Sequence, residues 1–194
     1  QQTTSATNIL KDLLLKAPPV SGNANSFISS ISDSLLLAKT LFPEAGRFFG
    51  DSILGPGTIR LASELIDSNL LRKEIFTDNK IGVLQTAKAQ LNAMKKGNYA
   101  TYNNYVIDAL QKINDQSAIG LLNGFVKTAD LDAKQNALLA MLKLKQTVSP
   151  LEIRKLAADK GYRPYFYKEL KAIGRQALLT TAFLSQQQFA DADM

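Results

Sequence analysis

The chain has 194 residues, among them 23 Lys and Arg against 17 Asp and Glu, which gives a net charge of +6, and it has no cysteine, histidine or tryptophan. These absences exclude disulfides, thiolate nucleophiles, Cys/His zinc sites and His-based catalytic triads within this sequence. The 45% apolar and 21% charged residues are typical of a chain that folds around a core, and no run of 18 apolar residues predicts a membrane span.

The first half of the chain is predicted to form helices separated by breakers. Residues 1–8 are polar, and we expect them to form a flexible N-terminal segment. Apolar residues then recur at helical spacing, while Pro43 and the glycine-rich stretch 50–57 interrupt the pattern. The predicted helices span residues 9–16, 26–41, 58–76 and 80–96.

Two apolar clusters in this half are predicted to face the core. Phe42, Phe48 and Phe49 flank the break at Pro43, and aromatic rings of this kind bury a large area. The helix over 80–96 carries an apolar seam at spacings of three and four, with a glycine C-cap at its end. The seam consists of Ile81, Leu84, Ala87, Leu91 and Met94, and the cap is Gly97.

Three further helices are expected before residue 149. They are predicted over residues 101–114, 115–126 and from 128 or 130 to 146. The pair Asn114-Asp115 is predicted to cap the second, and either Thr128 or Asp130 caps the third, because their side-chain oxygens can accept from free backbone N–H groups.

The stretch 149–174 carries the clearest helix-start signals of the chain. Ser149 is the predicted N-cap, and Pro150 suits the first helical position, where no N–H is needed. Glu152 stands where a capping box places its acid. These signals predict that a helix begins at Pro150.

A second helix follows this one after a turn. Gly161 is expected to adopt the left-handed conformation past the end of the first helix. The second helix is predicted to run from about Pro164 to about Ser185, and residues 186–194 are expected to fray.

These elements together predict the fold class. No segment alternates apolar and polar residues with a period of two over a strand length, and β-branched clusters are scarce. We therefore predict an all-α protein, a compact multi-helix bundle of roughly eight or nine helices with short connections, in a single helical domain over residues 9–185.

The helix pair at 149–174 resembles the helix-turn-helix motif of DNA-binding proteins. The resemblance departs from the motif at Lys160, where an apolar residue usually fills the corner. It implies binding to duplex DNA through the second helix. The residues that carry it are Leu156, Ala157, Gly161, Arg163, Pro164, Tyr167 and Leu170.

Basic charge is concentrated in the same region. Between residues 149 and 176, seven cations oppose three carboxylates, which gives +4 of the chain's +6. Such a cluster is predicted either to contact nucleic-acid phosphates or to be a solvated helical face. The candidate anion-binding residues are Arg154, Lys155, Lys160, Arg163, Lys168, Lys171 and Arg175.

All tyrosines fall into two clusters of three. Tyrosine is enriched at protein interfaces, because its ring is amphipathic and loses little entropy on binding, but it also covers cores with its hydroxyl outward. Both interpretations stay open for the predicted interaction surface. Its residues are Tyr99, Tyr102, Tyr105, Tyr162, Tyr165 and Tyr167.

Paired carboxylates and Ser/Lys dyads are the routes to an enzyme that the composition leaves open, and no S-x-x-K motif indicates such a dyad. Glu64 with Asp67, and Asp130 with Asp132, are the nearest pairs, and neither has a histidine partner for a metal. We therefore predict no catalytic residue, metal ligand or cofactor.

The most economical interpretation is a non-catalytic helical binding or structural module, part of a larger assembly or a longer precursor. Its expected partner is another protein or a second copy of the chain. The first alternative is a nucleic-acid-binding protein that uses residues 149–176, and the second is a carboxylate-dependent enzyme.

Overall fold

The computed structural model describes residues 2–16, 24–37 and 42–179, and every regular element within them is helical. The all-α prediction is confirmed. Two short 3₁₀ segments, Pro43–Phe48 and Gln176–Leu178, accompany the α-helices. The α-helices of these residues are α1 (Gln2–Lys16), α2 (Ala24–Leu37), α3 (Gly55–Asp67), α4 (Ile75–Asp78), α5 (Lys80–Lys95), α6 (Asn103–Ile113), α7 (Gln116–Val126), α8 (Leu131–Lys143), α9 (Pro150–Ala158) and α10 (Arg163–Ala172).

The contacts of the chain separate it into two units, Gln1–Ile113 and Asn114–Met194. The single domain over 9–185 stays a prediction. Helix α1 begins at Gln2, earlier than the expected start at residue 9. The predicted fraying of 186–194 lies outside the described residues.

Helix α3 lies at the centre of the first unit. It contacts α2, α5, α6 and the 3₁₀ segment, and Ile59, Leu61 and Leu65 are fully buried on it. The predicted phenylalanine core is confirmed, because Phe42, Phe48 and Phe49 are all buried. Because α3 buries large apolar side chains on several of its faces, the short helices around it are stabilised by tertiary packing.

The second unit is built on α8. Helix α7 packs along it, and α9 and α10 pack against it and against each other. The predicted N-caps are confirmed for two of these helices, since Asp115 accepts from the Ala118 N–H at 2.9 Å and Asp130 accepts from the Ala133 N–H at 2.8 Å. The fully buried side chains at the centre of this unit include Leu122, Phe125, Leu138, Leu156, Phe166 and Leu170.

The predicted helix over 58–76 is wrong, because the chain leaves it nine residues early. Helix α3 begins at Gly55 and ends at Asp67, and Asn69 then adopts a left-handed conformation with φ 58°. The N–H of Leu70 donates to the carbonyl of Leu65 at 2.8 Å, which closes the helix end. Asparagine tolerates this conformation better than most residues with a Cβ, and its presence was the signal for the break.

The predicted apolar seam of α5 is also wrong in part, because two polar residues lie on the buried face of this helix and Ile81 does not. Ile81 is 72% exposed, whereas Thr86 and Gln90 are buried. Thr86 Oγ1 donates to the Phe49 carbonyl at 2.5 Å, and Gln90 Nε2 donates to the Thr101 carbonyl at 2.6 Å. Since carbonyls outside the helix satisfy these side chains, they can be buried in place of apolar ones.

Helix α10 ends at Ala172 and does not run to Ser185 as predicted. Gly174 adopts φ 67°, and the Arg175 N–H donates to the Leu170 carbonyl at 2.7 Å. Gly97 ends α5 in the same way at φ 76°, as predicted. A glycine past a helix end adopts this conformation without steric cost, so both helices stop there.

Candidate functional site

Helices α9 and α10 form the candidate functional site, and their ends are fixed by polar contacts. Ser149 is the N-cap of α9 and Pro150 its first residue, as predicted, but the capping box is wrong because the Ser149 side chain makes no capping hydrogen bond. Glu152 instead accepts from Lys134 Nζ at 2.5 Å and from Lys155 Nζ at 2.8 Å. Leaving a buried ammonium without a carboxylate costs more free energy than leaving an exposed helix start without a second cap, so Glu152 pairs with Lys134.

The environment of Glu152 favours its charged form. Burial alone would raise the pKa of this carboxyl, but the hydrogen bonds from Lys134 and Lys155 outweigh burial and hold the pKa below its ordinary value. The carboxylate therefore stays ionised and ties α9 to α8 through a pair with little exposure to water.

Arg163 is a structural cap of α9 and not a surface cation. Its side chain is buried, with Nε donating to the Ala157 carbonyl at 2.7 Å and Nη2 donating to the Ala158 carbonyl at 3.3 Å. These carbonyls belong to the last turn of α9, where no intrahelical donor remains for them. The guanidinium is therefore committed to contacts within the chain, and Arg163 is not one of the exposed cations of this helix pair.

The turn between the two helices depends on Asp159 and not on a left-handed Gly161. Asp159 Oδ1 accepts from the N–H groups of Gly161 at 2.8 Å and Tyr162 at 3.1 Å. Gly161 is not among the residues with positive φ, so the prediction for this glycine is wrong. An aspartate side chain that bonds to the backbone two residues later turns the chain without that conformation.

Tyr162 makes a further polar contact near this turn. Its hydrogen bond with Asp132, together with burial, raises the pKa of Tyr162 to about 12. Asp132 belongs to the first turn of α8, so its carboxylate lies near the Tyr162 hydroxyl at the start of α10. Polar contacts of Glu152, Arg163, Asp159 and Tyr162 therefore fix α9 and α10 within the second unit.

The outward surface of this helix pair is cationic. The three acidic residues of this helix pair are only partly exposed, namely Glu152, Asp159 and Glu169. The six candidate cations other than Arg163 are exposed. We call these six residues the basic face. It consists of Arg154, Lys155, Lys160, Lys168, Lys171 and Arg175.

The second tyrosine cluster contributes one ring to this surface. Tyr165 is 68% exposed and lies one helical turn before Lys168 on α10, and the next residue, Phe166, is buried. Tyr162 and Tyr167 are half-buried. An exposed ring beside a cation is an arrangement that can stack on a planar group while the cation contacts an anion.

The first tyrosine cluster lies in the other unit and is largely occupied by internal contacts. Tyr99 is 83% exposed, but Tyr102 precedes α6 with φ 58° and accepts a hydrogen bond from Arg60 Nη1 at 3.2 Å. The Tyr102 and Tyr105 rings meet edge to face at 6.3 Å. The three rings therefore do not follow one side of a helix, since the left-handed Tyr102 prevents α6 from starting earlier.

The four candidate carboxylates have structural roles or lie exposed. Glu64 accepts from Arg60 Nε at 2.7 Å and from the Tyr105 hydroxyl at 3.4 Å, and Asp67 is exposed. Asp130 caps α8, and Asp132 raises the pKa of Tyr162. Within the described part of the chain, no group of three or more acidic residues could hold a metal ion.

Lys134 is a residue of this site that the sequence patterns did not predict, and Asp132 was predicted only as a candidate carboxylate. Lys134 is 5% exposed and stands four residues before Leu138, within the apolar pattern of α8. A lysine within an apolar stripe was the available signal, because a buried ammonium requires an acid nearby. The identity of that acid, 18 residues away, had no sequence signal.

No protein-family model, curated protein or solved structure matches this chain. In residues 2–16, 24–37 and 42–179, none of the helices has the length and apolar content needed to cross a membrane.

Proposed function

We propose that the chain is a non-catalytic helical binding module whose second unit binds duplex nucleic acid through the basic face. The observation that carries the proposal is the separation of charge on α9 and α10. Six cations are exposed, while the three carboxylates of the same stretch are partly buried and two of them have defined intramolecular partners. A surface with cations and few competing acids attracts phosphates over a distance of about one Debye length, roughly 8–10 Å.

The anchoring of the helix pair supports the same proposal. Glu152, Asp159, Tyr162 and Arg163 direct their polar groups inward, where they fix the ends of α9 and α10. A surface on fixed helices loses less conformational entropy on binding than one on loops. Arg163 accordingly supports the site as a positioning residue.

The placement of α10 agrees with a helix that enters a groove. It follows α9 after a four-residue connection, 159–162, which is the length of turn found in helix-turn-helix motifs. The first turns of the second helix contact base edges in such motifs, and Tyr165 and Lys168 stand there with exposed side chains. Lys171 lies in the last turn of α10 and Arg175 follows the end of the helix, and phosphate contacts are expected at both.

The test is a salt titration of binding to a fluorescent DNA duplex. The variant carries Lys160→Gln, Lys168→Gln and Arg175→Gln, because these side chains are exposed and have no partner among the described residues. Each phosphate contact that is lost should lower the slope of log K against log salt by about one.

The matched control carries Lys88→Gln, Lys95→Gln and Lys96→Gln, three exposed lysines at α5 and its C-cap in the first unit. It removes the same total charge, so it separates a local surface from a general effect of net charge. An equal loss of slope in both variants would refute the proposal, as would no binding of the wild-type chain at low salt.

A further inference from the structure

Helix α10 has one exposed face, and its members fall within an arc of about 120° at about 100° per residue. The planar groups of Arg, Asn and Gln distinguish base pairs most sharply, because they form two hydrogen bonds to one base edge. The one residue of these types in α10 is Arg163, whose guanidinium is buried against the end of α9. The exposed face consists of Tyr165, Lys168, Lys171 and Ala172.

This composition favours phosphates over a particular base sequence. A lysine ammonium is a compact point charge that a phosphate satisfies fully, so Lys168 and Lys171 give affinity with little sequence information. Ala172 has no polar group. Tyr165 is therefore the member of the exposed face whose contact with nucleic acid remains to be assigned.

The ring of Tyr165 is available for stacking. It is 68% exposed, and it pairs with no other ring or cation among the described residues. Lys168 follows one helical turn later, where Cβ atoms are about 5–6 Å apart. A flat ring next to a cation matches the two parts of a nucleotide, which are a flat base and a phosphate.

A fully paired duplex does not use this ring. Both faces of every paired base are stacked on neighbouring bases, so a side chain in a groove meets only base edges. The Tyr165 hydroxyl offers one neutral hydrogen bond to such an edge, and stacking a base on an aromatic ring stabilises a complex more than one such bond does on average. The base that costs least to take out of the stack is an unpaired one.

We infer that Tyr165 is a specificity-determining residue that stacks on an unpaired base, so that the basic face binds a duplex with a bulged base in preference to a fully paired one. This inference rests on the proposed function and adds to it the kind of duplex that is bound. The cations attach the helix pair to the backbone of either duplex, and Tyr165 distinguishes between the two.

The test is fluorescence polarisation of the full chain with two DNA duplexes at one salt concentration, a fully paired duplex and the same duplex with one extra adenine in one strand. We expect the bulged duplex to bind at least about fivefold more tightly, which corresponds to about 1 kcal/mol. A third duplex carries an abasic nucleotide at the bulge. It keeps the irregular backbone and lacks the base, so it should bind like the paired duplex.

Substitutions of exposed tyrosines locate the effect. Tyr165→Phe keeps the ring and should keep the preference for the bulged duplex. Tyr165→Leu removes the ring and should lower the affinity for the bulged duplex to that for the paired one, while the salt dependence stays the same because no cation is lost. The matched control is Tyr99→Leu, at a tyrosine of the other unit that is 83% exposed, and it should leave the preference unchanged.

Three results would overturn this inference and leave the proposed function in place. These are equal binding of the paired and bulged duplexes by the wild-type chain, an equal preference for the abasic bulge, and a preference that survives Tyr165→Leu. The second would show that the chain recognises a flexible backbone and not a base. Binding of none of the duplexes by the wild-type chain would refute the proposed function and this inference together.

Discussion

The ion pair between Lys134 and Glu152 gives the sharpest prediction about stability. The two side chains are 6% and 12% exposed, and Nζ lies 2.5 Å from Oε2. Two unit charges at about 4 Å interact by about 4 kcal/mol at an effective dielectric constant of about 20, and this pair is closer. Loss of one partner from a buried pair costs about 3–5 kcal/mol, since the other charge remains buried.

The structure predicts that the two single substitutions differ. Glu152→Gln leaves the Lys134 ammonium without a carboxylate, and we expect a loss of about 3 kcal/mol, at the lower end of that range because the amide oxygen still accepts. Lys134→Met removes the buried cation, while Glu152 keeps Lys155 at 2.8 Å, whose side chain is 53% exposed. We expect that change to cost about 1 kcal/mol.

The assay is native-state hydrogen exchange of the α8 and α9 amides, which reports the free energy of opening within this unit. The double substitution completes a thermodynamic cycle, and its cost should be less than the sum of the single costs by about 1–2 kcal/mol. Equal costs for the two single substitutions, or a cost below about 1 kcal/mol for Glu152→Gln, would refute the reasoning, since the pair would then act as a solvent-screened surface contact.

The same pair predicts acid sensitivity. The pKa of Glu152 is lower in the folded chain than its ordinary value of 4.5. Its contribution to stability is therefore complete above the unfolded pKa and is lost as pH falls through the folded pKa. Glu152→Gln should remove this component of the acid dependence, which a comparison of the two pH profiles would show.

Two further predictions concern the ends of α10. The pKa of Tyr162 is raised to about 12 from 10.0, so its contribution to stability is present below pH 10 and is lost as pH rises through about 12. Tyr162→Phe should lower the free energy of unfolding by about 1 kcal/mol at neutral pH. In an ultraviolet titration it should remove the phenol that ionises at about pH 12. Loss of a phenol that ionises near pH 10 instead would contradict the Asp132 contact. Gly174→Ala should destabilise by about 1 kcal/mol in thermal unfolding because of φ 67°, although no atom lies within 4 Å of the added Cβ. Gly120→Ala is the control, since this α7 glycine has equally open surroundings and no positive φ. It should raise the free energy of unfolding by about 0.5–1 kcal/mol. If both substitutions changed that free energy in the same direction, the backbone argument would be refuted.

Local signals in the sequence determined the helical class and several helix ends. Asp115 and Asp130 cap the helices that follow them, and Gly97 ends α5, as the sequence predicts. Such signals are readable because a cap acts on backbone groups only two to four residues away. The concentration of cations between residues 149 and 176 was equally visible, since it is a property of composition.

Only the tertiary structure decided which partners the polar side chains take. Glu152 bonds to Lys134 and not to the start of its own helix, and Arg163 caps α9 and does not face solvent. The buried face of α5 likewise follows from a carbonyl at Phe49. Each of these choices depends on the cost of leaving a buried charge or polar group unpaired, and that cost exists only when distant segments have come together and excluded water.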